Sequence, residues 1–128
     1  MIVDSSALVA IALQEPDYEE LISALGAAPQ VAIGAPTLVE TGIVLSARLR
    51  RDARGDLARL VQEVGIEVVP FTTAHFGVAM EAWLQFGRGR HAAKLNFGDC
   101  LTYAIAKTTG RPLLCVGNDF PRTDLVLV

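Results

Sequence analysis

The chain reads as an α/β fold, a mainly parallel sheet of short strands covered by helices on both faces. Two observations predict it. Short apolar runs, Met1-Ile2-Val3, Gln30–Ile33, Ile66–Val69 and Leu113–Val116, alternate with segments of helical periodicity. The runs are apolar without alternation, which is how strands buried on both faces read. In such sheets the binding crevice lies beyond the carboxyl ends of the strands.

Taken in order, Met1-Ile2-Val3 is a buried strand and Asp4-Ser5-Ser6 its exit. Ala7–Leu13 is apolar almost all round, as a core helix is. Pro16 opens a helix with Asp17, Glu19 and Glu20 in its first turn, ending near Gly26. After the Gln30–Ile33 strand, Ala35-Pro36-Thr37 opens a helix expected to turn Leu38, Val39, Ile43, Val44 and Leu45 inward, with a basic tail from Arg48 to Arg54. Asp56–Val64 is a further amphipathic helix, and Pro70 closes the strand after it. Thr73 is expected to cap a helix running through Phe76, Met80, Trp83 and Leu84 to Gly87. A basic, glycine-containing loop, Gly87 to Leu95, leads to Asn96, a good N-cap for a helix that ends at Gly110. Leu113–Val116 is a strand, Gly117-Asn118-Asp119 a turn, and Leu125–Val128 a last short strand.

The length of 128 residues suits one domain, residues 1–128, with a real core, and neither repeat nor linker interrupts it. An apolar content of 52% and a mean hydropathy of +0.40 exclude disorder. No apolar run reaches the roughly 18–20 residues of a membrane span, and residues 1–13 have no basic leader. Cys100 and Cys115, in a helix and a strand, read as small buried hydrophobes in a reducing compartment. A cytoplasmic protein is expected.

The net charge of −3 argues against generic nucleic-acid affinity, but its distribution is uneven. Before Arg48 there are only acids: Asp4, Glu15, Asp17, Glu19, Glu20 and Glu40. Arg48, Arg50, Arg51, Arg54 and Arg59 then cluster, and Arg88, Arg90 and Lys94 cluster again beside His91. Two basic patches fit a polyanion ligand, and equally fit solvated helix faces.

Four acids stand at strand ends or helix starts: Asp4 after the first strand, Glu40 early in the Pro36 helix, Asp99 in the first turn of the Asn96 helix, and Asp119 after the fourth strand. A parallel sheet can bring these places to one edge. Converging carboxylates repel, and their ionised state is tolerable only with a cation between them. Oxygen ligands without His or Cys suit Mg²⁺ or Mn²⁺, which bind phosphate oxygens and activate water for in-line attack on a phosphodiester. Each acid also has a plainer local role: Asp4 as an N-cap, Glu40 paired with an arginine, Asp99 answering the helix dipole, Asp119 in a turn. Ser6 bonds a ligand carboxylate or simply caps, and Asn96 caps with its side chain near the cleft. His75 reads as a helix-surface residue, and His91 as a solvated loop residue or a phosphate contact.

The segments Ile2-Val3-Asp4-Ser5-Ser6-Ala7-Leu8, Pro36-Thr37-Leu38-Val39-Glu40, Leu95-Asn96-Phe97-Gly98-Asp99-Cys100-Leu101-Thr102-Tyr103-Ala104, and Leu113-Leu114 to Asp119-Phe120 resemble the PIN-domain family over the whole chain. More narrowly they resemble the VapC toxins of type II toxin–antitoxin pairs. The resemblance implies a Rossmann-like, PIN-like three-layer α/β/α sandwich and a Mg²⁺- or Mn²⁺-dependent ribonuclease. It also implies a homodimer neutralised by a cognate VapB-like antitoxin. By position, Asp4, Glu40 and Asp99 match the metal-binding acids. Asp119 is the fourth catalytic candidate, on a weaker footing, because many relatives carry the fourth acid where this chain has Gly117. Ser6 and Asn96 would support the ligands. Arg88, Arg90 and Lys94 are the candidates for RNA backbone contacts. A phosphatase of the haloacid-dehalogenase type wants a second Asp where Ser6 stands, and a phospho-accepting receiver domain wants paired acids after the first strand and a late Lys. The remaining alternative is a non-catalytic α/β RNA- or protein-binding module.

Overall fold

The computed structural model describes all residues from Met1 to Val128. Four strands, β1 (Ile2–Val3), β2 (Ala32–Gly34), β3 (Glu67–Val69) and β4 (Leu113–Leu114), form one parallel sheet in the order β3-β2-β1-β4. Six helices surround it: α1 (Ser5–Ala12), α2 (Tyr18–Ala27), α3 (Ala35–Leu49), α4 (Arg54–Val64), α5 (Thr73–Phe86) and α6 (Phe97–Thr109).

The strands are two or three residues long, so the layering rests on the period-2 alternation of side chains. Val3, Ile33 and Leu114 point to one face, where they pack with Leu8 and Ile11 of α1, Leu25 of α2, Leu45 of α3 and Leu57 of α4. Ile2, Ala32 and Leu113 point to the other, against Ala82 and Phe86 of α5 and Ala104 and Ile105 of α6. The three-layer α/β/α sandwich follows from that alternation.

The chain adds β2 and β3 successively on one side of β1, then crosses to place β4 on the other. Ile2 pairs with both Ala32 and Leu113, and the Asp4 amide donates to the Leu114 carbonyl at 2.9 Å. The order of connection therefore reverses between β1 and β4, the place where such sheets form a binding crevice, and Asp4 stands there at the carboxyl end of β1.

Several expectations need correction. Val39 and Ile43 do not turn inward: they are 61% and 64% exposed. α3 buries Thr37, Thr41 and Leu45 instead, the strip facing α1 and α6. His75 is not a surface residue. It is 7% exposed, and its Nδ1 accepts the Thr72 amide at 2.9 Å while Thr72 returns the bond to the helix, a capping box that moves the cap from Thr73 to Thr72. The last strand reduces to one bridge, Leu127 to Leu113. The first basic patch is largely self-paired, through Arg48–Glu15, Arg51–Asp56 and Arg54–Asp52. Cys100 is buried and Cys115 half-buried, and neither forms a disulfide. No helix is long and apolar enough to cross a membrane.

Candidate active site

Asp4 is the N-cap of α1 and faces the crevice at once. Its backbone is extended, as a cap requires, and its Oδ2 accepts the Ser6 amide at 3.1 Å and the Ser6 hydroxyl at 2.6 Å. Oδ1 accepts the Thr102 hydroxyl at 2.9 Å. The carboxylate is 5% exposed and all its near partners are donors. Ser6 does more than cap. Its Oγ also accepts the Val116 amide at 3.0 Å, tying Asp4 to the chain just past β4.

Glu40 arrives from α3, where its Oε1 accepts the Ser5 hydroxyl at 3.1 Å. Burial holds its carboxyl above the usual range; the Ser5 bond opposes that and the nearby Asp4 charge adds to it. Asp99 arrives from α6. It forms a reciprocal capping box with Asn96: the Asn96 amide donates to Asp99 Oδ2 and the Asp99 amide to Asn96 Oδ1, both at 2.9 Å. Burial, chiefly, pushes the Asp99 carboxyl up to about 6, with the Asn96 bond opposing and the charges of Asp4, Asp119 and Glu40 reinforcing. Asp119 is exposed at the rim, ahead of the 3-10 turn Phe120–Arg122, and makes no capping bond. Gly117 has φ +104°, a conformation side-chain-bearing residues rarely adopt, so the turn before it is shaped for glycine.

Asp4, Glu40 and Asp99 thus meet in one crevice with Asp119 at its edge. None of the four forms an ion pair with a lysine or arginine; the protein's ion pairs lie elsewhere. Hard oxygen donors with unbalanced negative charge are the donor set a Mg²⁺- or Mn²⁺-sized cation takes. As the side chains stand, no three of them enclose a point at ligand distance. In this arrangement the carboxylates of Asp4 and Asp99 are turned toward protein donors. The donor set fits.

The sequence reading missed three polar groups that hold the acids. Thr102 lies one helical turn after Asp99 and therefore on the same face of α6, which is the pattern that could have revealed it. Thr37 backs it with a 3.0 Å bond between the hydroxyls. Ser5 was read only as strand exit. Phe97, at the first position of α6, is 81% exposed beside the crevice.

The basic loop is ordered, closed at its base by the Leu95 amide donating to the Phe86 carbonyl and the Arg88 amide to Leu95, both at 3.0 Å. Arg88, Arg90 and Lys94 are exposed, and the Arg90 guanidinium lies 4.4 Å from the centre of the Trp83 ring. His91 is exposed, its Nδ1 accepting the Ala93 amide at 3.0 Å and its ring edge-on to Phe86.

The raised Asp99 carboxyl sets a stability–pH relation. Its folded value of about 6 exceeds the ordinary 3.8, so between these values the folded protein holds a proton that the unfolded chain has released. Metal-free protein is therefore expected to lose stability as pH rises from about 4 to about 6, on the order of 1 kcal/mol after allowance for solvent. Urea midpoints at pH 5 and pH 7.5 in EDTA measure it, and Asp99→Asn should flatten the difference.

Comparison with known proteins gives a consistent result. The PIN domain profile matches residues 1–126. Ribonuclease VapC36 of Mycobacterium tuberculosis is 48% identical over 126 residues, covering 98% of this chain and 91% of the relative. Ribonuclease VapC of Mycolicibacterium smegmatis is 37% identical over 128 residues, covering 100% and 99%. Among solved structures, M. tuberculosis VapC20, described as a sarcin-ricin loop cleaving toxin, superposes with a TM-score of 0.80 at 22% identity, covering 99% of this chain and 97% of that one. A toxin–antitoxin complex from Klebsiella pneumoniae contains a chain with a TM-score of 0.72 at 19% identity, covering 99% and 95%.

Proposed function

Because this chain belongs to the VapC ribonucleases of the PIN-domain family, we propose that it is a divalent-metal-dependent endoribonuclease, the toxin of a type II toxin–antitoxin pair. One observation carries the reading: Asp4, Glu40 and Asp99 come from three separate elements to one crevice and have no cationic side chain between them. Asp4, Glu40 and Asp99 would hold Mg²⁺ or Mn²⁺, and Asp119 would act from the rim. When bound, such an ion neutralises phosphate charge and makes water a better nucleophile near neutral pH. The carboxylates would position such an ion and the attacking water and accept the proton released. Ser6 and Thr102 fix the Asp4 rotamer, and the Asn96 box fixes the start of α6. No histidine is required: His75 is buried as a cap and His91 is bonded within its loop.

Cleavage of structured RNA in Mg²⁺ or Mn²⁺, and its loss in EDTA, tests the reading. RNA binding without metal-dependent cutting would instead identify a non-catalytic binding module.

Arg88, Arg90 and Lys94 supply the cations that an acidic protein needs to hold a polyanion beside its own carboxylates. Replacing Arg88 and Arg90 together by Ala should raise KM about tenfold or more with kcat little changed, and flatten the salt dependence of RNA binding. Steady-state kinetics at two salt concentrations decide this, and an unchanged KM removes both residues from the RNA path.

We infer that the antitoxin docks on the apolar groove between α3 and α4, about 880 Å³, lined by Leu38, Val39, Ile43, Leu57 and Val61. Val39 and Ile43, exposed here, suit the apolar face of a partner helix. Phe76, Met80 and Leu84 recur every four residues on the outer face of α5 and suit a second copy of the chain in a homodimer. A toxin acting on the RNA of its own cell would work in the cytoplasm.

A further inference from the structure

We propose that Gly98 is a positioning residue, whose missing side chain is the space the Glu40 carboxylate occupies; the inference rests on the nuclease reading only in the use it gives to Glu40. Gly98 is the second residue of α6, between the cap Asn96 and Asp99. A Cβ built on it would lie 3.0 Å from Glu40 Cδ, 3.1 Å from Oε1 and closer still to Oε2. Carbon atoms in contact ordinarily stand about 3.5–4.0 Å apart, so the methyl group and the carboxylate cannot share this place.

Other helical glycines differ. Gly26, Gly55 and Gly77 have nothing within 4 Å of such a Cβ, and Gly42 would make an ordinary contact with Leu57 at 3.6 Å. Gly98 also lacks the positive φ that would make glycine a backbone requirement. Alanine is the better helix former, by up to about 1 kcal/mol, so glycine here is a local cost without a local reason. The reason is across the crevice. α3 and α6 approach closely enough that Glu40 reaches in over bare backbone, at a helix start that favours a carboxylate, with Ser5 holding its other side.

The obstructed atom is the end of a flexible side chain, not backbone. Gly98→Ala is therefore accommodated by swinging Glu40 out, and the fold survives. This separates the proposal from a merely structural role, which predicts lost stability.

The test uses the full chain, Mn²⁺ titration, thermal unfolding and ¹³C resonances of the Glu side chains in metal-free protein. Gly98→Ala should unfold no earlier than wild type and bind Mn²⁺ about 10–100-fold more weakly, as Glu40→Ala should. Added to Glu40→Ala, it should change Mn²⁺ affinity by less than about twofold, because its effect is already spent. Glu40→Asp, one methylene shorter, should restore part of the affinity in the Gly98→Ala background. In metal-free Gly98→Ala the Glu40 Cδ resonance should shift. An unchanged Glu40 resonance overturns the proposal, as does Mn²⁺ affinity within twofold of wild type. Wild-type protein that binds no Mn²⁺ sinks the nuclease reading instead, and the Glu40 resonance still decides the role of Gly98.

Discussion

Asp99→Asn is expected to leave a folded protein that no longer cuts RNA. The amide keeps the shape of the carboxylate, and its Oδ1 can still accept the Asn96 amide, so the capping box at the start of α6 survives. What disappears is a charge that burial and three neighbouring acids already disfavour. Removing it relieves repulsion, and near neutral pH the variant should melt a few degrees above metal-free wild type. Catalysis responds oppositely. With one carboxylate fewer, the remaining acids would hold a divalent ion more weakly and out of place, forfeiting several kcal/mol of charge stabilisation at the phosphate; each 1.36 kcal/mol is tenfold in rate, so kcat should fall by about 10³ or more. Cleavage assays with thermal melts in EDTA test both halves. Full activity in the variant would end the assignment of Asp99. A large loss of stability alongside inactivity would mean the residue serves the fold first.

Asp4→Ala should lose both fold stability and activity, and Asp4→Asn should separate them. In the wild type Asp4 accepts the Ser6 amide and hydroxyl and the Thr102 hydroxyl, in a place almost closed to water. Alanine removes the N-cap of α1, at about 0.5–2 kcal/mol, and takes away the shared acceptor of two hydroxyls, at about 1 kcal/mol or more. Thr102 retains its bond to Thr37, which limits the damage. A drop of about 2–3 kcal/mol in unfolding free energy is expected, read from urea midpoints. Asparagine keeps an acceptor at Oδ1 and should recover most of it. Neither variant should cleave RNA, because the most buried carboxylate of the crevice is gone. Cleavage by Asp4→Asn within tenfold of wild type would favour a non-catalytic role for the whole cluster.

The two variants differ because the two acids are held differently. Asp99 is a carboxylate kept in an unfavourable place by a cap it shares with Asn96. Asp4 is satisfied by donors on every side. That contrast could not be read along the chain, where both look like helix-start acids. Ser5, Ser6, Thr37 and Thr102, which do the holding, are separated from their partners by up to 110 residues. A hydroxyl in a helix is unremarkable until the opposite element is known. The same blindness explains Val39 and Ile43: helical periodicity marks them as an apolar stripe but does not say whether the surface opposite is core or an open groove. His75 failed for another reason. Its ring is buried because its Nδ1 completes a capping box, a role taken more often by Glu or Gln.

Local chemistry alone determined the alternation of short apolar strands with helices, hence a parallel sheet between two helical layers. It also determined the helix start at Asn96 and the placement of acids at strand ends, because caps, turns and apolar periods act over a few residues. Only the tertiary structure decided that the chain reverses its order between β1 and β4, so that carboxylates from α3, α6 and the end of β1 share one crevice. It alone decided that Gly98 leaves room there for Glu40. Convergence is set by how layers pack, and packing joins residues whose separation along the chain carries no trace of it.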